Sequence, residues 1–147
     1  MTFAALMKNR LLINSLLAWL AAQVLKTVIE ASVHRSLDWR RLFGDGGMPS
    51  GHSATVTALA VTAGRLYGLD SPVFAVCAIL AVIVMHDAMG VRRQAGKHAK
   101  AINELMELLY NDKSAPEEKL QEFLGHTPLQ VCFGALLGLG IALLAPL

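Results

Sequence analysis

The residues best suited to chemistry lie in the stretch 46–54, which reads GGMPSGHSA. Its glycines allow backbone N–H groups to approach an anion closely, and the helix expected from Ser50 onward directs the positive end of its dipole toward the same point. His52 adds a side chain that titrates near neutral pH and can transfer a proton. The stretch predicts a phosphate-binding helix start; a helix cap with an incidental histidine is the simpler alternative.

Two further clusters contain residue types that suit phosphate chemistry. Asp87 stands five residues before a pair of neighbouring arginines, Arg92 and Arg93. Their guanidinium groups can hold phosphate oxygens with paired N–H donors. His126 opens the last apolar segment. A pair of histidines with arginines, without a cysteine cluster or paired carboxylates, suits phosphoryl transfer without a metal. One imidazole attacks phosphorus and the other protonates the leaving oxygen.

The composition indicates a membrane protein. The chain has 147 residues, the length of one domain, of which 54% are apolar and 16% charged. A soluble domain carries about 25% charged residues, and the mean hydropathy here is +0.49. A net charge of +2 without a basic run argues against nucleic acid as a partner. Cys77 and Cys132 lie in apolar segments without a C-x-x-C pattern, and we expect both thiols to be buried.

Four apolar segments are long enough, at roughly 17–23 residues, to cross a bilayer as helices. An uncleaved first helix is favoured over a signal peptide, because the apolar pattern continues to Ile29. We therefore predict one all-α domain over residues 1–147, an integral membrane helical bundle in the cell membrane. The expected spans are residues 11–33, 53–69, 72–90 and 128–146.

The first segment contains two ionisable residues, Lys26 and Glu30, one helical turn apart. Ionisable groups at that depth are costly in a bilayer, which favours a position facing a polar cavity inside the protein. The alternative is a lysine near the helix end whose ammonium group reaches the lipid headgroups. The sequence leaves both open.

The polar stretch 92–126 separates the third and fourth spans. Apolar residues recur at helical spacing from Gln94 to Tyr110, which predicts an amphipathic helix. Pro116 can begin a second short helix that continues to Leu124. We expect these one or two helices to lie on the membrane surface or over the mouth of a site.

Charge and small residues give two expectations about arrangement. If all four segments span, nine Lys and Arg residues lie on the side of loops 34–52 and 92–126, against Lys8 and Arg10 on the other side. This asymmetry places the face with the candidate site in the cytoplasm.

The last span contains small residues that permit close helix packing, including that of a homodimer. They are Gly134, Gly138 and Gly140.

Three motifs resemble the divergent branch of the type-2 phosphatidic acid phosphatase superfamily, which also includes the vanadium haloperoxidases. The stretch 46–54 contains the Pro-Ser-Gly-His run of that superfamily letter for letter. DAMGVRRQAG, which begins at Asp87, and GHTPLQVCFGALLG, which begins at Gly125, look like its later motifs. The resemblance extends over residues 20–140.

The resemblance implies hydrolysis of a lipid phosphate monoester or diphosphate, without a metal or other cofactor. It implies that His126 is the nucleophile that forms a phosphohistidine, and that His52 is the general acid for the leaving alcohol. The implied phosphate ligands are Lys26, Ser50, Gly51 and one of Arg92 or Arg93. Arg35, Arg40 or Arg41 would supply the arginine of the first motif. His86 and His98 are expected to be structural or surface residues.

Two positions depart from the superfamily pattern. Gln130 stands where an aspartate orients the nucleophilic histidine; it can accept a hydrogen bond but carries no charge. Asp87 is a candidate to supply that charge from a neighbouring helix. Val91 stands before Arg92, where the superfamily has serine. Besides a phosphatase, the sequence leaves open a protein that binds or moves phospholipids without turnover, and a membrane scaffold.

Overall fold

The computed structural model describes residues 3–35, 47–110, 119–120, 122 and 125–147. Within these ranges every regular element is an α-helix and no strand occurs, which confirms the all-α fold class. The helices are α1 (Phe3–Leu6), α2 (Arg10–His34), α3 (Gly51–Tyr67), α4 (Pro72–Met89), α5 (Val91–Tyr110) and α6 (Pro128–Leu144).

Local signals in the sequence set the starts of the four long bundle helices. Each of α2, α3, α4 and α6 follows a residue whose side-chain oxygen accepts a hydrogen bond from an amide in the first turn. Such a cap contributes about 1 kcal/mol to helix stability. Pro72 and Pro128 occupy first-turn positions, where no amide donor is required. The capping residues are Asn9, Ser50, Ser71 and Thr127.

Helix α3 forms the centre of the bundle, and α2, α4 and α6 pack around it. Near the end of α3, the Arg65 guanidinium donates a 3.0 Å hydrogen bond to the Ala145 carbonyl just after α6. Asn14 near the start of α2 donates to the Thr62 hydroxyl in the same half of the bundle, at 3.3 Å. Helix α6 therefore runs parallel to α3, whereas α2 runs antiparallel. One core cluster consists of Ala18, Ala22, Ala54, Ala58 and Ala142.

Two glycines allow α6 to lie directly against α3. A Cβ at Gly138 would overlap the backbone carbonyl of Ala54, and a Cβ at Gly134 would overlap that of Ser50. Gly140, by contrast, has nothing within 4 Å of the position a Cβ would take. The first two small residues thus serve packing within one chain, and a homodimer stays a prediction.

We expect Gly138→Ala to destabilise the bundle, because the added methyl group must push α6 away from the α3 backbone. Overpacking of a close-packed core costs about 1–3 kcal/mol. Gly140→Ala is the matched control and should not lower the free energy of unfolding, because its methyl group meets open space. Thermal unfolding of both variants in the same detergent measures the difference. Equal unfolding midpoints for the two variants would contradict this packing.

The two cysteines lie in different environments. Cys77 of α4 is buried in a cluster with Val56 and Ala60 of α3, as expected. Cys132 is exposed, so the prediction that both thiols are buried is wrong for this residue. The reason is helical geometry, because Cys132 stands two residues before Gly134 and lies almost opposite the face of α6 that contacts α3.

Two stretches are long and apolar enough to cross a membrane, Arg10–Val33 and Pro72–Leu109, the second of which includes α4 and α5. Helix α6 is apolar but shorter. The outward faces of these helices are aliphatic, and Val76 and Leu136 are both more than half exposed. Contiguous exposed aliphatic surface suits lipid better than water. These features support a helical membrane protein, while the predicted set of four spans stays a prediction.

Helix α5 follows α4 directly, with Gly90 between them, and begins at Val91 rather than at the predicted Gln94. It is amphipathic, as predicted: Ile102 and Leu105 lie on an apolar face and about half of each is exposed. The opposite face carries charged residues. An exposed apolar face next to a charged one is the pattern of a helix that lies at the membrane interface.

The predicted second short helix, residues 116–124, falls mostly outside the described residues. Its described residues, Lys119, Leu120 and Glu122, are not helical. The side chain of Asn103 in α5 holds Leu120 and Glu122 instead: its Nδ2 donates to the Leu120 carbonyl and to Glu122 Oε1, both at 2.9 Å, and its Oδ1 accepts from the Leu120 amide at 3.0 Å. The Leu120 amide and carbonyl, which would be paired within a helix, thus form their hydrogen bonds with the Asn103 side chain.

Candidate active site

Two backbone hydrogen bonds bring the three sequence motifs together. The Ser50 amide, at the start of α3, donates to the Gln130 carbonyl in the first turn of α6 at 3.1 Å. The His126 amide donates to the Ala88 carbonyl near the end of α4 at 2.8 Å. The start of α3, the end of α4 and the start of α6 therefore meet at one end of the bundle.

His52 and His126 lie next to each other at this junction. Their ring centroids are 5.8 Å apart and the rings make an angle of 62° in an edge-to-face contact. His126 is almost completely buried, with 3% of its surface exposed. The two imidazoles are therefore in contact, and both residues line one cavity.

The first turn of α6 determines how His126 is oriented. Gln130 Oε1 accepts a 3.0 Å hydrogen bond from the Thr127 amide, in a capping box in which Thr127 Oγ1 accepts from the Gln130 amide. Because the Thr127 amide can only donate, the Gln130 atom that it meets is the oxygen. The same oxygen lies 3.3 Å from His126 Nδ1. Because Gln130 Oε1 can only accept, this contact pairs it with a proton on Nδ1 of the neutral ring, the tautomer that has its lone pair on Nε2.

A cavity of about 290 Å³, which we call the inner cavity, lies beside both histidines. Lys26 of α2 lines it and is only 5% exposed, which favours the polar-cavity alternative over a lysine that reaches the headgroups. Gly51, the first residue of α3, places the positive end of that helix at the cavity wall. The described lining residues are Trp19, Gln23, Lys26, Gly51, His52, Thr55, Val56, Val84 and His126.

A second cavity of about 390 Å³, the outer cleft, reaches His126 from the side of α5. Three cations of α5 line it, spaced by four and three residues along one helix face: Arg93, Lys97 and Lys100. Gly125 allows α5 to lie directly against the start of α6, because a Cβ there would overlap the Arg93 backbone. Its φ of +86° is also a conformation that favours glycine. Glu122 also lines the cleft, and the three cations leave it with a net positive charge toward an anion that approaches His126.

The remaining predicted site residues occupy varied positions. Ser50 is fully buried, and its hydroxyl accepts a 3.1 Å hydrogen bond from Ser53 rather than lining either cavity. Arg92 and Asp87 form a 3.1 Å ion pair in which each side chain is nearly half exposed, and neither residue lines a cavity. Of the adjacent arginines, Arg93 is thus the one that faces the site. Arg35 is exposed after α2, and Arg40 and Arg41 lie outside the described residues.

Several lining residues were not predicted as site residues from the sequence. Lys97 and Lys100 had a usable signal, because with Arg93 they share one helix face opposite the apolar stripe. Trp19 and Gln23 had none beyond polarity within an apolar helix. In the described parts of the chain, no group of three or more His, Cys, Asp or Glu side chains comes close enough to hold a metal ion.

Comparison with known proteins identifies this helical bundle as a PAP2-related membrane protein. The chain belongs to the Divergent PAP2 family, whose model matches residues 7–141. It is 47% identical over 149 residues, and 94% of each chain, to the uncharacterized membrane protein YuiD of Bacillus subtilis (strain 168). No solved structure matches it.

Proposed function

We propose that this protein is a membrane phosphatase that hydrolyses a lipid phosphate monoester or diphosphate through a phosphohistidine, with its site at the cytoplasmic face. The observation that carries the proposal is the contact of His52 with His126 at 5.8 Å between ring centroids, on the wall of a cavity that also contains buried Lys26. A buried lysine and a helix start provide the positive charge that a bound phosphate requires.

In the first step, His126 Nε2 attacks phosphorus and the bond from phosphorus to the leaving oxygen breaks. His52 donates its proton to that oxygen, so that an alcohol or a lipid monophosphate leaves. The Lys26 ammonium and the amides at the start of α3 hold the non-bridging oxygens, on which negative charge concentrates. In the second step, water attacks the phosphohistidine, phosphate leaves, and His126 regains its lone pair.

The site position suits a lipid substrate. The outward faces of the long helices are aliphatic, and α5 carries an exposed apolar face opposite the face that lines the outer cleft. A substrate whose chains lie in the bilayer can present its headgroup at the interface, where the cations Arg93, Lys97 and Lys100 line the approach to His126. Four helices, α2, α3, α4 and α6, would cross the membrane in this arrangement.

Phosphate release by detergent-purified protein tests the proposal. The substrates are a diacylglycerol phosphate, a lysophospholipid phosphate, and prenyl mono- and diphosphates, each measured with and without a metal chelator. We expect release from at least one of them that persists in chelator. His98→Ala is the control variant, because His98 is an exposed residue of α5 that lines neither cavity. No release from any substrate would contradict the proposal.

One observation favours a second function, in which the protein binds a phospholipid phosphate without turnover. The residue next to His126 Nδ1 is the neutral amide of Gln130, at 3.3 Å. An amide fixes the tautomer but adds no negative charge to stabilise the positively charged phosphohistidine. Binding of inorganic phosphate or vanadate by a protein that releases no phosphate would support this second function.

Gln130→Glu separates the two functions. Glutamate is the other residue that completes a capping box, so the first turn of α6 is retained. Its carboxylate stabilises the imidazolium form of His126, which has two expected effects: phosphate release rises about tenfold, and the acid limb of the pH–rate profile moves to higher pH because the protonated ring cannot attack. Initial rates across a pH series measure both effects.

The control for this substitution is Gln94→Glu, which adds the same charge at an exposed position on α5. An unchanged pH–rate profile in Gln130→Glu would show that residue 130 does not govern His126. Activity that is absent from the natural protein but present in Gln130→Glu would instead support a binding protein.

A further inference from the structure

Gln23 places a buried amide in the inner cavity that neither the motifs nor the resemblance explains. The residue is 6% exposed and lines the cavity together with both histidines. Its Oε1 is fully buried and accepts no hydrogen bond from any residue that the structure describes. A buried acceptor left unpaired lowers the stability of the fold, so a position of this kind indicates a ligand that donates.

The surroundings of Gln23 show which part of the site the acceptor faces. A Cβ added at Gly51 would lie 4.0 Å from Gln23 Oε1 and 3.6 Å from the indole Cδ1 of Trp19. Gln23 Oε1 therefore lies opposite Gly51, the first residue of α3, which immediately precedes His52 in the chain. Gln130, which contacts Nδ1 of His126, lines the outer cleft, whereas His126 also lines the inner cavity. We therefore assign the chemistry at Nε2 to the inner cavity.

The chemical character of Gln23 Oε1 differs from that of the groups around it. Lys26 and the amides of the α3 start are donors that suit the oxygens of a phosphate. A carbonyl oxygen repels those same oxygens and pairs only with a group that carries a proton. Water is a reactant of the proposed reaction that brings such protons, and it is required in the second step.

We propose that Gln23 is a positioning residue for the water that hydrolyses the phosphohistidine, an inference that rests on the proposed phosphatase function. One O–H of this water donates to Gln23 Oε1 and the other faces His52, which is neutral after protonating the leaving group. The water oxygen attacks phosphorus, its proton passes to His52, and the bond between phosphorus and His126 Nε2 breaks with its electron pair returning to nitrogen. Phosphate leaves, and both histidines recover their starting protonation.

Gln23→Leu and Gln23→Met test the proposal, since both remove the acceptor while keeping a side chain of similar size in an apolar helix. Radiolabelled lipid phosphate is mixed with the full-length protein in detergent, and the reaction is quenched under alkaline conditions, in which phosphohistidine survives. The amount of label on the protein and the release of phosphate are measured over time. The control variant is Gln94→Leu, on the exposed part of α5.

We expect the first step to stay within about twofold of the natural protein, while phosphate release slows by about 100-fold, the cost of misplacing a reacting group by about 1 Å. Labelled protein should consequently accumulate at steady state. The methionine variant keeps the test valid if the branched leucine disturbs packing, and unfolding midpoints identify such a disturbance.

Two results would overturn the inference while leaving the phosphatase intact. One is a raised KM without accumulation of labelled protein, which would make Gln23 a substrate ligand. The other is release at the natural rate from the folded leucine and methionine variants. A natural protein that neither takes up label nor releases phosphate would overturn the phosphatase and this inference together.

Discussion

Replacing His126 with alanine is expected to lower phosphate release by about 1,000-fold or more, since removal of a nucleophile leaves only binding and electrostatic contributions to the rate. The substitution removes Nε2 and also the Nδ1 contact with Gln130. The loss should be similar for every substrate, whatever its leaving group, because no phosphohistidine can form. Phosphate release and covalent labelling by radiolabelled substrate are the two measurements.

The control for His126 is again His98→Ala, which removes an imidazole from an exposed helix face. A second variant, His126→Asn, keeps a polar side chain at the buried position and guards against a loss caused by misfolding. Substantial release by either folded His126 variant would mean that the nucleophile lies elsewhere.

Replacing His52 with alanine is expected to slow release from alkyl phosphate esters by about 100- to 10,000-fold, the usual contribution of a general acid. Here the loss should depend on the leaving group. An aryl phosphate such as nitrophenyl phosphate expels a weakly basic oxygen that needs no proton, so the first step should recover most of its rate. Comparison of kcat/KM for the two substrate types in the same protein preparation measures the effect.

The contrast between the histidines is the strongest test of their roles. His126→Ala should be inactive toward both substrate types, whereas His52→Ala should still form labelled protein from the aryl phosphate. Equal losses for alkyl and aryl substrates in His52→Ala would contradict its role as the acid. The edge-to-face contact at 5.8 Å would then serve only to position His126.

Much of the candidate site could be predicted because its histidines lie in short motifs at helix starts. Ser50 and Thr127 cap the two helices that present His52 and His126, and each cap depends on residues within three positions of it. Proline at the start of α6 adds a second local signal. The family membership predicted from these motifs is confirmed by the match over residues 7–141.

Other features of the site could not be read from local patterns. Arg92 and Arg93 are adjacent in the sequence, yet Arg92 pairs with Asp87 while Arg93 lines the outer cleft. Their difference depends on the rotation of α5 about its axis, which the contacts of Gly125 and Asn103 set. Periodicity within α5 groups Arg93 with Lys97 and Lys100, but it does not show which face of the helix meets the site.

By itself, the sequence determined that the protein is helical, that it belongs in a membrane, where its four bundle helices begin to within about two residues, and which histidines stand at helix starts. Caps, prolines and apolar length act over a few residues, so they can be read without a partner. Only the tertiary structure decided that Lys26 is buried beside the histidines, that Gly138 packs α6 onto α3, and that Gln23 faces the same cavity. Those facts depend on how helices distant in sequence are rotated and packed against each other, and close packing makes that arrangement sensitive to every residue at the contact.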